Sequence, residues 1–532
     1  MRKSLPQSVG TVDHSWRLAA AILVLGGALR FVPIWFGLPY PQARPDEETA
    51  IGKALDALTG DPNPRFFHWP SLTFYLFAGV LHVASSVQRL AGGTGELTFT
   101  EQALVTRATV ALAGTATILV VHMLTRRMAG PRVAAVAAAF LSVAILHVRE
   151  SHFATADVLM TLLLWSSLLV LVDATTDGRA PRLREFAIAG GLAGLAATAK
   201  YNAAAVAGSM VAAQVLFFVR EPGAMGTLRG WTPALVFGSS MVAAFLAGTP
   251  YAVLDFGTFA RDLAFDFTHL SGGHRGIVLG RGWWYHATTS LPYGVGPPVF
   301  VAAIAGLVPF VRHYRAGAAI LGAFAVPFYV VVGSGYTVFF RYMLPLVPMV
   351  CILAAIAVVR LADWTTRRVA IRREVVCAAL LVLTLGPSLV QSAWFDLVLA
   401  RTDTRVEAGR WLAARIQPDQ SLYDAGSPYT ALDLWNVRFA RATFDEGTGS
   451  FHEGAPDWLV LHDSPLPAYT PVSPSLRALA EAEYVLAFRA HGIREGRRPG
   501  LYDQQDAFFV PFSRFWTVEA PGPTVSIYRR RE

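Results

Sequence analysis

Apolar runs of membrane-crossing length recur along most of this 532-residue chain. A helix needs about 20 apolar residues to cross the hydrocarbon of a bilayer. Where no water reaches the backbone, only helices and closed barrels satisfy every N–H and C=O. The runs at 16–38, 103–124, 132–149, 157–173, 186–199, 203–219, 232–250, 292–311, 316–334, 341–360 and 374–394 therefore predict a polytopic α-helical membrane protein of about eleven transmembrane helices. Composition agrees, since 54% of residues are hydrophobic and 15% are charged, more apolar than is usual for a soluble chain.

Charge then sets the orientation. All but three of the 45 basic residues are arginine, a bias shared with GC-rich bacterial genomes. They cluster between the apolar runs, as cytoplasmic loops do: Arg126, Arg127 and Arg132; Arg179, Arg182 and Arg184; Arg220 and Arg229; Arg312 and Arg315; Arg367, Arg368, Arg372 and Arg373. The net charge of +8 thus reads as topology, and no nucleic-acid partner is expected. A further apolar stretch, 71–87, would throw the first cluster outside if it crossed. Its start after Pro70 and its interruptions at His82, Ser85 and Ser86 suit an interfacial helix in the first outer loop. An odd number of crossings puts the N-terminus inside and the C-terminus outside. Residues 1–15 are polar and no A-x-A-like site follows the first run, so that run reads as a retained anchor. The expected location is the bacterial cytoplasmic membrane, with the long loops 39–102 and 251–291 on its outer side.

From residue 395 the pattern changes. Helix signals at Thr404–Ile416 and Ser475–Ala482 alternate with strand signals at Ser421–Asp424, Trp458–His462 and Val525–Tyr528. The division predicted is a membrane domain over 1–394 and an extracytoplasmic α/β domain over 395–532. Cys351 and Cys377 lie in apolar segments, so no disulfide framework is expected.

Several short stretches bring ionisable groups to the outer ends of the runs. Arg44-Pro45-Asp46-Glu47-Glu48 sets three carboxylates after the first run, where acidic residues also suit the N-terminus of a following helix over Thr49–Leu58. Phe67-His68-Trp69-Pro70-Ser71-Leu72 brings an imidazole nearby, or an aromatic belt pair at headgroup level. Arg149-Glu150-Ser151-His152 precedes Asp157 at the lip of a run, where a carboxylate either faces a cavity or caps its helix. Lys200-Tyr201-Asn202 splits a long apolar stretch. A charge left in lipid there costs ~2.5–3.5 kcal/mol, so Lys200 either snorkels or has a function. Arg341, between Phe340 and Tyr342, is a snorkelling anchor or an anion ligand. Carboxylates and cations on one face suit group transfer from a lipid phosphate. The carboxylate takes the nucleophile's proton while Lys and Arg stabilise charge on the departing phosphate.

The order Pro45-Asp46-Glu47, His68-Trp69-Pro70-Ser71-Leu72, Arg149 to Asp157, Ala199-Lys200-Tyr201-Asn202, Gly272-Gly273-His274-Arg275-Gly276 and Arg341-Tyr342-Met343-Leu344-Pro345 resembles the GT-C superfamily of membrane glycosyltransferases. The nearest branch resembles the protein O-mannosyltransferase and aminoarabinose transferase group, although those branches generally carry His-Pro-Pro-Leu or Lys-Pro-Pro-Leu where this chain has His68-Trp69-Pro70-Ser71-Leu72. The resemblance implies a polyprenyl-phosphate sugar donor, a lipid, glycan or protein acceptor and inversion at the anomeric carbon. It implies Asp46 as the base or acceptor-orienting carboxylate, Glu47 as its neighbour and Asp157 as a second acidic site residue. Lys200, His274, Arg275 and Arg341 become donor-phosphate ligands, with His68, Tyr201 and Tyr342 beside them as substrate-binding residues. No cofactor is demanded; a divalent metal has carboxylates and His68 available but no diagnostic spacing.

Two other classes compete with this reading. A transferase of another lipid-linked group would keep a metal cluster in its soluble domain, whereas His452, His462, Asp463 and His491 are scattered. A lipid or sugar transporter would show two related halves with discontinuous helices, and no internal repeat is visible.

Overall fold

The computed structural model describes residues 15–176 and 182–531. The polar stretch before residue 15 and Arg179 of the second arginine cluster lie outside them. Among the described residues seven helices are long and apolar enough to cross a membrane: Phe99–Ala129, Ala156–Thr175, Tyr201–Arg220, Leu228–Gly248, Arg315–Gly333, Phe340–Thr366 and one beginning at Arg373. An eighth results if Gly282–Val295 and Pro297–His313, bent by 115°, form one span. The bend falls at Gly296, whose φ of 93° ends one helix where Pro297 starts the next.

The difference from eleven has a local cause. The runs at 16–38, 132–149 and 186–199 become helices of 17, 13 and 17 residues, short of the ~20 that a perpendicular crossing needs. Hydropathy alone reads through Pro33 and through the extended Ala144, while the break expected at Lys200, where φ −155° and ψ 130° stop the helix, leaves the run before it at 17 residues. The 71–87 stretch forms the 19-residue helix Leu72–Leu90 and is not among the crossing candidates.

Small residues let the short helices pack closely. Leu183–Ala199 lies against Leu228–Gly248 so tightly that a Cβ on Gly190 or Gly194 would stand 2.2 Å from the carbonyl oxygen of Phe237 or Met241. This is the packing mode expected where lipid provides no hydrophobic drive between helices.

The C-terminal region carries a mixed five-stranded sheet in the order β2-β1-β5-β7-β6, with β1 Ser421–Asp424, β2 Ala440–Arg441, β5 Trp458–Asp463, β6 Tyr484–Ala490 and β7 Thr524–Arg530. Strands β2, β1 and β5 are parallel, while β5, β7 and β6 are antiparallel. Strands β3 Phe444–Asp445 and β4 Ser450–Phe451 make a separate ribbon. Helices Thr404–Ala413 and Pro474–Glu483 cover the sheet. Strand β6 was not read from sequence because it is an edge strand whose burial does not alternate. Phe508, Val510, Phe512, Phe515 and Val518 leave the sheet's own core and pack in the hydrophobic cluster of the membrane helices. The chain is therefore a polytopic helical membrane protein with a C-terminal α/β domain, and one segment of that domain is anchored between the helices.

Candidate active site

Asp46 immediately precedes the helix Glu47–Leu58 and adopts a left-handed φ of 79°, which costs a residue with a Cβ of order 1 kcal/mol. Its side chain makes no capping bond. Oδ2 instead lies 3.1 Å from Nη2 of Arg341, so the strained backbone turns the carboxylate off the helix end and towards a guanidinium. Arg341 sits on the 3-10 turn Phe340–Leu346 with its guanidinium 4.3 Å from the Phe339 ring centre. Asp157, in the first turn of Ala156–Thr176, accepts a 2.5 Å hydrogen bond from Nζ of Lys200. Lys200 occupies the break between two helices, and its ammonium is 5.5 Å from the Tyr342 ring centre.

Asp46, Lys200, Tyr201, Arg341 and Tyr342 line one cavity of ≈ 640 Å³ together with His68 and His274. Its walls are mainly apolar, from Phe66, Phe265, Phe267, Phe328 and Val331. A small recess shares Asp46, Trp69, Lys200 and Arg341 with the cavity and adds Asp157. His68 Nδ1 lies 2.9 Å from Oδ1 of Asp266, whose carboxyl is raised by burial, an effect the hydrogen bond from His68 partly offsets. His274 bridges His269 at 3.2 Å and the Tyr469 hydroxyl at 3.1 Å. Burial, with His269 and Arg275 adding repulsion, depresses its pKa to about 4 and keeps the ring neutral.

Two residues named from the sequence stand elsewhere. Glu47 points away from the cavity and is wholly buried. Its carboxylate accepts from Arg107 Nε at 3.0 Å and Nη2 at 2.6 Å, and from the Ala154 backbone N–H at 2.7 Å. Arg275 lies outside the cavity lining and donates to the Tyr429 hydroxyl at 3.0 Å, where the long loop meets the C-terminal domain.

A buried carboxylate from the C-terminal domain was missed. Asp506 Oδ1 lies 2.7 Å from Arg44 Nη1 and 3.7 Å from Arg341 Nη1, and Oδ2 lies 3.5 Å from Arg149 Nη2. Against the desolvation of burial, Arg44, Arg341 and Arg149 hold this carboxyl below its ordinary range, while burial and Asp506 push Asp503 up. The available signal was two acids abutting an aromatic run, Asp503-Gln504-Gln505-Asp506-Ala507-Phe508-Phe509, in a domain otherwise read as soluble.

No group of three or more His, Cys, Asp or Glu side chains able to hold a metal occurs among the described residues. Asp46 and Asp157 are each engaged by a cation. A divalent ion would compete with Arg341 and Lys200 for the same oxygens, so the donor set does not fit one, and the chemistry below uses none.

Residues 95–247 match the model of the dolichyl-phosphate-mannose-protein mannosyltransferase family. No curated protein matches the chain in sequence. Among solved structures, the apo oligosaccharyltransferase of Archaeoglobus fulgidus is similar at 14% identity and TM-score 0.50, over 76% of this chain and 59% of that one. The same enzyme tethered to an acceptor peptide containing the NVT sequon gives 13% identity and TM-score 0.51, over 77% and 62%. The present chain thus spans about three-fifths of that enzyme's length. ArnT from Cupriavidus metallidurans bound to undecaprenyl phosphate is similar at 15% identity and TM-score 0.49, over 97% of this chain and 98% of that one. Residues 95–247 thus resemble the dolichyl-phosphate-mannose-protein mannosyltransferase family, and the fold is similar to that of the archaeal oligosaccharyltransferase.

Proposed function

We propose that this GT-C-like chain is an inverting glycosyltransferase. It moves a sugar from a polyprenyl-phosphate donor to a cell-envelope lipid, glycan or protein acceptor at the outer face of the cytoplasmic membrane. One observation carries the reading: a single apolar-walled cavity holds both a carboxylate, Asp46, and two cations, Lys200 and Arg341. Apolar walls suit an isoprenoid chain, the cations suit its phosphate, and the carboxylate suits a hydroxyl or amine nucleophile.

In the proposed step the acceptor, oriented by Asp46, attacks the anomeric carbon from the face opposite the phosphate. Its proton passes to the Asp46 carboxylate. The bond between the anomeric carbon and the phosphate oxygen breaks, and its electron pair leaves on polyprenyl phosphate. Lys200 and Arg341 stabilise the charge that grows there. Asp157 holds Lys200 by their 2.5 Å hydrogen bond, and His68, neutral His274, Tyr201 and Tyr342 supply polar contacts around the sugar. Glu47 is assigned to holding the helix that presents Asp46, and Arg275 to the loop contact with Tyr429. The arrangement belongs to a membrane domain over 1–394, N-terminus inside, with the domain over 395–532 outside.

Mass spectrometry of polyprenyl-phosphate sugars and envelope glycans, in cells with and without the protein, tests this directly. A donor species should accumulate and one glycan modification should vanish in its absence. Complementation by the wild type should restore the modification, and complementation by an Asp46→Ala variant present at equal level in the membrane should not. Restoration by Asp46→Ala would overturn the assignment.

A further inference from the structure

We infer that Asp506 is a positioning residue of the donor-phosphate site, so that the C-terminal domain holds in place the arginine that faces the cavity. The inference rests on the functional reading above and adds to it a residue from outside the membrane helices.

Three arginines surround the Asp506 carboxylate: Arg44 at 2.7 Å, Arg149 at 3.5 Å and Arg341 at 3.7 Å. Each connects to a different piece of the site. Arg44 is two residues before Asp46, the residue held at φ 79°, and is stacked between Phe153 and Phe508 at 4.6 and 5.6 Å. Arg341 bonds Asp46 itself. Arg149 donates to the Val510 carbonyl at 2.8 Å, fixing the segment that carries Asp506. With Asp506 ionised, the guanidiniums share a counter-charge; without it they repel one another in a buried setting.

The rest of the turn holds the same strand of chain. Asp503 Oδ2 accepts from the Phe340 N–H at 2.8 Å and Gln505 Oε1 accepts from the Val338 N–H at 2.6 Å. The Gln505 amide donates to the Ile277 carbonyl at 3.0 Å and the Tyr336 carbonyl at 3.1 Å. One turn of four residues therefore fixes the backbone at Val338 and Phe340, the side chain of Arg341 and the loop beside His274. Arg341 Nη1 is buried without a hydrogen-bond partner of its own. It is held in place by the Asp506 charge at 3.7 Å, while Nη2 of the same guanidinium reaches Asp46 in the cavity. Asp506 itself is 4% exposed and does not line the cavity, so it acts through Arg341 and Arg44.

The test is binding of undecaprenyl phosphate to the full-length protein in nanodiscs, followed by native mass spectrometry, alongside thermal unfolding. Asp506→Asn should weaken binding about tenfold, the loss expected for a misplaced charged hydrogen bond, and lower the melting temperature as well, because Arg44 and Arg149 stay buried without their counter-charge. Asp506→Glu should recover part of that loss. In an Arg341→Ala background Asp506→Asn should cost less than in the wild type, because the part of its effect that passes through Arg341 is already gone. If Asp506→Asn does not accumulate, Gln505→Ala releases the same turn without removing a charge and should weaken binding about threefold. Unchanged binding in the folded variants, or full additivity with Arg341→Ala, overturns the inference. Failure of the functional reading is separate: it shows as transfer retained in Asp46→Ala, whatever Asp506 does.

Discussion

Asp46 and Glu47 are neighbours in the chain and each pairs with an arginine, yet the two pairs differ in what surrounds them. Asp46 and Arg341 are 34% and 13% exposed and face a cavity; Glu47 and Arg107 are 0% and 1% exposed and face only protein. The sealed pair is also saturated. Arg107 spends its remaining donors on the Ile34 and Phe36 carbonyls, and Glu47 adds the Ala154 N–H. A saturated pair can hold three segments together but has nothing left to offer a ligand. In the open pair the Asp46 carboxylate has one cationic partner among the described residues, Arg341 at 3.1 Å, and lines the cavity. The difference separates a carboxylate that builds the site from one available to react within it.

The comparison breaks most decisively at the two carboxylates. Glu47→Ala would strand the Arg107 guanidinium in the interior, a defect of about 3–5 kcal/mol. Little folded protein should then be recovered from the membrane, as judged by fluorescence-detected size exclusion. Asp46→Ala should give a normal elution profile and melting temperature with transfer reduced by about 10²–10⁴-fold, the range for a lost general base. A folded, active Glu47→Ala protein would show that the sealed pair is dispensable.

The Lys200–Asp157 pair gives a smaller effect. Lys200→Ala removes a charged donor and leaves Asp157 lining the small recess. The donor KM should rise about 10–100-fold with a lesser change in kcat, measured as initial rates over a donor titration. Equal losses in kcat and kcat/KM would instead place Lys200 in the transition state alone.

The chain makes the pairs at the cavity legible and the sealed one ambiguous. Lys200 and Arg341 stand out because a charge at the end of an apolar run must be explained by lipid, solvent or a partner. Asp46 and Glu47 do not separate by sequence, since which one faces the cavity depends on one backbone angle, the φ of 79° at Asp46. Asp506 was invisible for the opposite reason: in a segment read as water-soluble a carboxylate costs nothing. Its burial follows from the insertion of Phe508 and Phe512 among the helices. The helices of crossing length number fewer than eleven where Pro33 and Ala144 interrupt runs that average as apolar and where the run before Lys200 is short.

Glu48, the third acid of the triplet, sharpens the division because it is neither sealed nor open. It is half-buried, and its Oε2 has no hydrogen-bond partner. Burial, with Asp46 nearby adding repulsion, pushes its pKa up to about 7 from an ordinary 4.5. An acid raised in the folded state favours its protonated form there. The unfolded chain releases that proton first, so stability is lost as pH climbs from 4.5 to about 7 and is flat above. Glu48→Gln keeps the neutral shape and removes this dependence. Its melting temperature should match the wild type below pH 4.5 and exceed it by about 1–3 °C at pH 8. Thermal unfolding at the two pH values checks the sign: a variant less stable at pH 8 would mean that Glu48 is held ionised by a partner. Transfer should survive the change, since Glu48 does not line the cavity. Its loss would move the boundary between building and reacting one residue along the chain.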